Sequence, residues 1–336
     1  MLSKIFKVLI SFFLILLISF SFVRLIPGDP VQNIIGERGA SEERIAEIKE
    51  NLGLNRSLIE QLSLFTANAL KGNFGESIIS KQSVLTEFKI LFPATLELTF
   101  AALFWSIPIG ILLGILAASY RNSALDYTVI SLSTIGFAMP IFWWGLVIIF
   151  FFAVQLGMFP VSGRIEAIYD VPVITGFYLI DAMKSLDSGA WRSVIRHLVL
   201  PAFTLGTISL ALIVRVTRSA FIDIAKEDFI RTAKSKGLSQ FQIIFKHILK
   251  NALPTILTAM GLSLGQLLTG AIITETLFSW PGIGRWIVNA IMARDYPVVQ
   301  AGLFYCMMII ILINFLTDLS VRWVNPKLRD QLRVQP

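Results

Sequence analysis

The sequence predicts an all-α membrane protein that crosses the bilayer six times. Of its 336 residues 55% are hydrophobic and 15% charged, and mean hydropathy is +0.73. Six stretches lack Asp, Glu, Lys and Arg altogether: 8–23, 98–120, 127–163, 197–214, 251–274 and 296–317. A water-soluble core does not need this much apolar side chain.

A helix crossing about 30 Å of hydrocarbon needs roughly 20 residues, so the second, fifth and sixth runs fit directly. The first and fourth are shorter, and Lys7, Arg24, Arg196 and Arg215 can snorkel to extend them. Lys4 and Lys7 before an apolar stretch also resemble a signal peptide. "FVRLIPGDP" offers no small-x-small cleavage site, which favours a retained anchor. The third run is too long for one crossing; its helix is expected near 128–155, kinked at Pro140, with "LGMFPVSG" as the exit loop.

Between the first two spans, "SEERIAEIKENLG" predicts a helix that starts behind Ser41, carries Glu42 and Glu43 in its first turn and stops at Gly53. "SLIEQLSLFTANALKG" predicts another, with Ser57 and Glu60 as a capping box, Leu58, Leu62 and Phe65 on one face and Gly72 as the stop. Together they make a helical insert rather than a linker. Within the spans, Gly110 with Gly114 and Gly261 with Gly265 have the spacing of close helix packing.

A net charge of +7 would suggest nucleic acid in a soluble chain, but here the bases follow topology and no nucleic-acid partner is expected. The 215–250 loop carries eight Lys/Arg against three acids, and the tail after Leu319 four against one. By contrast 164–196 balances four against four and 275–295 two against two. This bias puts both termini and 215–250 in the cytoplasm. Alternation then puts 24–97 outside.

Catalytic chemistry is sparse. Cys306 is the single cysteine and lies in an apolar run, which excludes a disulfide framework or a CxxC pair. No Gly is followed by Lys, so the GxxxxGK[ST] phosphate loop is absent. His197 and His247 form no HExxH, and there is no GxSxG elbow. No catalytic, cofactor or metal site is expected in this chain. Glu97, Arg215, Glu275 and Asp318 fall at or near span ends, so no buried ionisable pairs are expected and a proton-coupled carrier or intramembrane hydrolase is disfavoured.

What remains is "EDFIRTAKSKGLSQFQIIFKHILKNALP", Glu227 to Pro254, a basic cassette between the fourth and fifth spans. Glu227 and Asp228 start a helix that Lys234 and Lys236 end, so charge opposes the macrodipole at both termini, and Gly237 supplies the left-handed stop. A second helix opens with Ser239 and Gln242 in capping-box spacing. It presents Phe241, Ile244, Phe245, Ile248 and Leu249 on one face and Gln242, Lys246, His247 and Lys250 on the other. A connection needs only a few polar residues. A structured pair is a lever, moving two spans when a cytoplasmic partner grips its tip; on composition alone, a helix lying on the membrane surface stays equally open.

The cassette resembles the EAA loop of ABC-importer permeases in its peptide-transporter variant. "RTAKSKG" stands where many members have EAA, three residues and Gly; Arg231 and Thr232 replace the Glu-Ala pair, and Pro254 comes four residues after the usual proline position, held by Lys250. "RLIPGDP", "GERGASEERIAEIKENLGL", "FPATLEL", "MPIFWWG", "FPVSGR", "TGFYLIDA", "HLVLPA", "VRVTRSA", "ETLFSWPGIGRW" and "RDYPVVQAG" resemble the B-type permease of dipeptide and oligopeptide importers over nearly the whole chain.

The resemblance implies a type I ABC-importer permease bundle in the cell membrane. Residues 1–93 would be the first span with an extracytoplasmic insert, 94–325 the permease domain with coupling loop 215–250, and 326–336 a cytoplasmic tail. It implies surrounding membrane lipid, a C-type partner permease, two ATPase subunits that bind ATP and Mg, and an extracytoplasmic peptide-binding protein; the same machinery could carry nickel, glutathione or haem. Glu227, Asp228, Arg231, Thr232, Ala233, Lys234, Lys236 and Gly237 would be the ATPase-coupling loop, with either acid as the point of contact. Trp280, Pro281, Gly282, Gly284 and Arg285, whose Pro-Gly punctuation marks a folded loop, would form an outer gate. Interfacial anchoring of Trp280 and Trp286 is the other reading.

Overall fold

The computed structural model describes residues 2–25, 35, 41–51, 55–185, 187 and 189–324. The helices are α1 (Leu2–Leu25), α2 (Glu42–Asn51), α3 (Leu58–Leu70), α4 (Val84–Ser119), α5 (Ala124–Ala138), α6 (Ile141–Gln155, its last turns π-helical from Ile149), α7 (Tyr178–Asp181), α8 (Ala190–Ile224), α9 (Asp228–Ser235), α10 (Gln240–Leu277, with a π-helical stretch Ile243–Ile248), α11 (Ile283–Met292) and α12 (Tyr296–Val324). Among the described residues the only β pairing is one bridge, Glu76 with Ser83. The expected stop at Gly53 and the basic tail lie outside the described residues.

Helices α4, α8, α10 and α12 are long and apolar enough to cross a membrane, and α5 with α6 makes a fifth if the bent pair is one span. The described apolar stretch of α1, Ile10–Leu25, is shorter. The helices overrun the charge-free stretches: α4 begins at Val84 rather than 98, and α8 runs from Ala190 to Ile224 around the expected 197–214. Charge stops where hydrocarbon begins, but a helix continues into water at no such penalty.

The third apolar run is two helices, not one kinked helix. Helix α5 ends at Ala138, Met139 is extended at φ −72°, ψ 130°, and α6 starts after Pro140, with 103° between the two. The proline ring disfavours the helical region for the residue before it, and its missing N–H removes one bond of the ladder, so the break falls here.

Internal packing divides the chain into two compact units. The first comprises Met1–Ala94 and Pro281–Ile310. The capping box of α3 is formed as expected, Ser57 Oγ accepting from the Glu60 N–H at 3.4 Å and Glu60 Oε2 from the Ser57 N–H at 3.1 Å, and Gly72 ends the helix at φ +71°. The packed face of α3 runs Leu62, Phe65 and Ala69, continuing the expected one toward the helix end, while Leu58 in its first turn is exposed. An aromatic chain runs Phe20–Phe65–Phe74–Tyr305–Phe88, its last contact a stack of 4.2 Å between centroids.

The second unit comprises Thr95–Trp280 and Ile311–Pro336. Helix α8 is its axis, with 67% of its apolar window buried against 33% in α10. Gly110 and Gly114 let α4 approach α8: a Cβ at Gly110 would lie 2.8 Å from Ile213, and one at Gly114 would lie 2.6 Å from Thr217. The second glycine pair is split. Gly261 lies directly against Thr317, whereas nothing is within 4 Å of a Cβ at Gly265. On the outer face of α4, Phe100, Phe104, Leu112 and Leu116 are exposed, apolar side chains turned outward as a lipid-facing helix requires.

Candidate functional site

The cassette is shorter as a free-standing element than the sequence suggests, because its flanks are ends of the spans. Helix α8 continues to Ile224, only α9 stands alone, and the second cassette helix is the start of α10. Helix α9 is seated rather than floating. Ile230 and Ala233 are buried in one cluster with Ile115 of α4, Phe221 of α8 and Ile243, Ile248, Ala252 and Ile256 of α10. Its apolar side therefore faces its own bundle. Glu227, Asp228, Arg231, Thr232, Lys234, Lys236 and Gly237 are all exposed, while Ala233 points inward.

The chemistry at the ends of α9 is local. Glu227 occupies the N-cap without a side-chain bond, and Asp228 meets Arg231 at 3.3 Å in an exposed pair that contributes little. Gly237 sits at φ +76°, its N–H donating to Lys234 O at 2.9 Å and the Leu238 N–H to Ala233 O at 3.4 Å, which is the Schellman ending. Ser239 and Gln242 form the expected reciprocal box at 3.3 and 3.1 Å.

The apolar face of the second helix differs from the α-helical expectation. Ile248 is buried as expected, but Ile243 is buried beside it, while Phe241 and Phe245 are exposed and lie against each other, centroids 4.5 Å apart. The π-helical stretch explains this, since its i→i+5 bonding widens the turn and puts residues five apart on one face.

At the other pole of the second unit the structure corrects the expectation that ionisable pairs are absent from the interior. Glu97 of α4 and Arg164 of the loop after α6 are both buried, Glu97 Oε2 accepting from Arg164 Nε at 3.0 Å and Nη2 at 2.6 Å. Glu97 Oε1 accepts from the Leu179 N–H at 2.6 Å, and Arg164 Nη2 also donates to Gly176 O at 2.7 Å. The guanidinium lies 3.9 Å from the Tyr178 ring centre and 5.6 Å from that of Trp280. Span-end position did not reveal the pair, because its cation comes from a loop 67 residues away.

The surrounding loop is built to hold this geometry. Buried Asp181 accepts from the Thr175 hydroxyl at 2.7 Å and from the N–H groups of Thr175, Gly176 and Ile174. Burial alone would push its carboxyl up; those hydrogen bonds outweigh burial and hold it below the usual aspartate range. The Gly163 N–H donates to Phe278 O at 2.8 Å, and Thr95 Oγ1 donates to buried Glu275 at 2.5 Å. His197 is a satisfied core residue, its Nδ1 2.8 Å from Ser193 O.

Trp280 is fully buried, enclosed by protein rather than set at a surface. Its N–H donates to Glu275 O at 2.8 Å across Ser279, which takes φ +50°. In the first unit Gly282 precedes α11 in an extended conformation, Gly284 is buried and Arg285 lies in the first turn. Trp286 is partly buried and donates its indole N–H to Glu87 at 2.9 Å.

These features define a multi-pass helical membrane protein that carries a seated polar cassette between two of its spans. Residues 110–330 match the family described as binding-protein-dependent transport system inner membrane component, and 1–99 match its N-terminal region; the chain belongs to that family. It is 47% identical to the di/tripeptide transport system permease protein DppB of Pseudomonas aeruginosa (strain UCBPP-PA14), covering 96% of each chain. It is 44% identical to the dipeptide transport system permease protein DppB of Escherichia coli (strain K12), again over 96% of each. Among solved structures, the MetNI methionine ABC transporter in an inward-facing conformation shares the fold, with TM-score 0.53 and 21% identity over 69% of this chain and 93% of that one.

Proposed function

We propose that this chain is one of two unlike membrane subunits of an ATP-driven importer of di- or oligopeptides. Six crossings put both termini and the cassette in the cytoplasm, and the 156–189 loop and the insert after α1 outside. A C-type permease completes the pathway, two ATPase subunits supply ATP and Mg, and an extracytoplasmic binding protein delivers the peptide. The observation that carries the reading is the full-length likeness to dipeptide permeases combined with the seated α9, whose exposed side is polar apart from Phe229 and whose buried side joins α4, α8 and α10.

In this mechanism the residues from Glu227 to Gly237 dock on an ATPase. ATP binding draws the two ATPases together, α9 moves with them, and α8 and α10 follow because α9 shares their core. The bundle then opens outward, and the segment from Trp280 to Arg285 acts as its outer gate; hydrolysis resets it inward. Reconstitution tests this: vesicles holding the four membrane and ATPase subunits should take up dipeptide only with ATP and the binding protein. Uptake by this polypeptide alone, without any ATPase, overturns it.

A further inference from the structure

Four stretches that stand out in the sequence, "FPATLEL", "FPVSGR", "TGFYLIDA" and "ETLFSWPGIGRW", converge on the Glu97–Arg164 pair, and docking of an ATPase gives that pair nothing to do. Glu97 is 3% and Arg164 7% exposed. As a static fastener the pair is poorly chosen. Desolvating two charges offsets most of their attraction, and apolar side chains of equal volume hold a fixed loop as well or better. The arrangement suits a contact that is made and broken. Closed, the carboxylate accepts from Nε and Nη2 of the guanidinium and from the Leu179 N–H; parted, each charge recovers its solvation once water reaches it.

The pair also touches the right segments. Arg164 lies over Tyr178 and faces Trp280, and its neighbour Gly163 is bonded to Phe278 O on the strip that ends in Trp280. We propose that Glu97 and Arg164 are positioning residues of the outer gate: their contact sets the Trp280 segment and the 156–189 loop in the closed position, and its rupture releases both when the bundle opens outward. This rests on the importer reading and deepens it, naming the interaction that keeps the outside shut at rest.

The test is ATP hydrolysis by the reconstituted complex, measured without and with peptide-loaded binding protein. In Glu97→Gln the amide oxygen still accepts from Leu179, but the charge facing Arg164 is gone. Arg164→Lys keeps the charge and loses the fork and the ring stacking. Both should retain the ATPases while unstimulated hydrolysis rises at least about 5-fold and the stimulation ratio falls to match, the lower end of ordinary coupling between sites. If Glu97→Gln fails to assemble, Arg164→Lys is read alone. An unchanged ratio, or a parallel fall of both rates with loss of assembled complex in both variants, overturns the proposal and leaves the pair a folding element. A wild-type complex with no binding-protein-stimulated hydrolysis overturns instead the importer reading beneath it.

Discussion

Arg218 of α8 grips Asp126 at the start of α5 through two hydrogen bonds of 2.6 Å, and the same carboxylate accepts the Asn122 N–H at 2.9 Å. The Asp126 side chain is 2% exposed and that of Arg218 27%. Arg218 stands shortly before the end of α8, so this fork fixes the base from which α9 projects. Asp126→Ala should cost about 3 kcal/mol by stranding a half-buried guanidinium, and Asp126→Glu less. Thermal unfolding of detergent-solubilised protein measures both, and an alanine variant as stable as wild type would show that the fork contributes nothing.

Gly237 is required for its backbone and not for space. Nothing lies within 4 Å of an added Cβ, so Gly237→Ala should cost only the left-handed penalty, about 1 kcal/mol. Gly237→Pro should cost more, since it forbids φ +76° and removes the bond to Lys234 O. Retention of the ATPase in a pulldown by the alanine variant, and loss by the proline variant, is the expected pair of results.

The π-helical register of early α10 makes an unusual ordering. Ile248→Ala should destabilise by about 2–4 kcal/mol, while Phe241→Ala, on the larger but exposed side chain, should change stability by less than about 0.5 kcal/mol. Denaturant midpoints for the two variants decide it; a larger loss at Phe241 would mean an ordinary α register.

Gly114 and Gly265 should respond oppositely to alanine. Gly114→Ala forces a methyl to 2.6 Å from Thr217 and should cost about 1–3 kcal/mol. Gly265→Ala meets nothing within this chain and should be neutral or stabilising by up to about 1 kcal/mol in the isolated subunit. If Gly265→Ala nevertheless prevents assembly with the second permease, a partner helix covers that position.

Asp181 gives a pH dependence with a definite sign. Its folded carboxyl is held below the ordinary value, so its stabilisation is present above the unfolded value of about 4 and is lost as pH falls through the folded one. Protease resistance of the 156–189 loop should be flat from neutral pH to about 4 and then decline. Asp181→Asn should be weaker at neutral pH and show a smaller decline; identical profiles would remove the carboxylate from the account.

Much of this was legible in the residues. The caps at Ser57, Gly72, Gly237 and Ser239 are local chemistry, and each forms as its neighbours dictate. The apolar runs located the spans but not their ends. The Glu97–Arg164 pair was hidden because burial of a loop arginine is decided by tertiary folding, although the stretches that hold it were visible one by one. Ile243 was missed and Phe241 and Phe245 were placed on the buried face because an amphipathic pattern assumes 3.6 residues per turn, and one π-helical stretch breaks that assumption.

The elbow at Met139 and Pro140 has a mechanical sequel. Each arm is 15 residues, about 22 Å, too short to reach across the hydrocarbon by itself. Bent by 103°, the two arms work as a crank and not as a rod: turning one arm about its own axis by about ten degrees sweeps the far tip of the other sideways by about 4 Å. Torque delivered at the foot of α5, where Arg218 holds it, would thereby become lateral travel of the far end of α6 without any stretching of the chain.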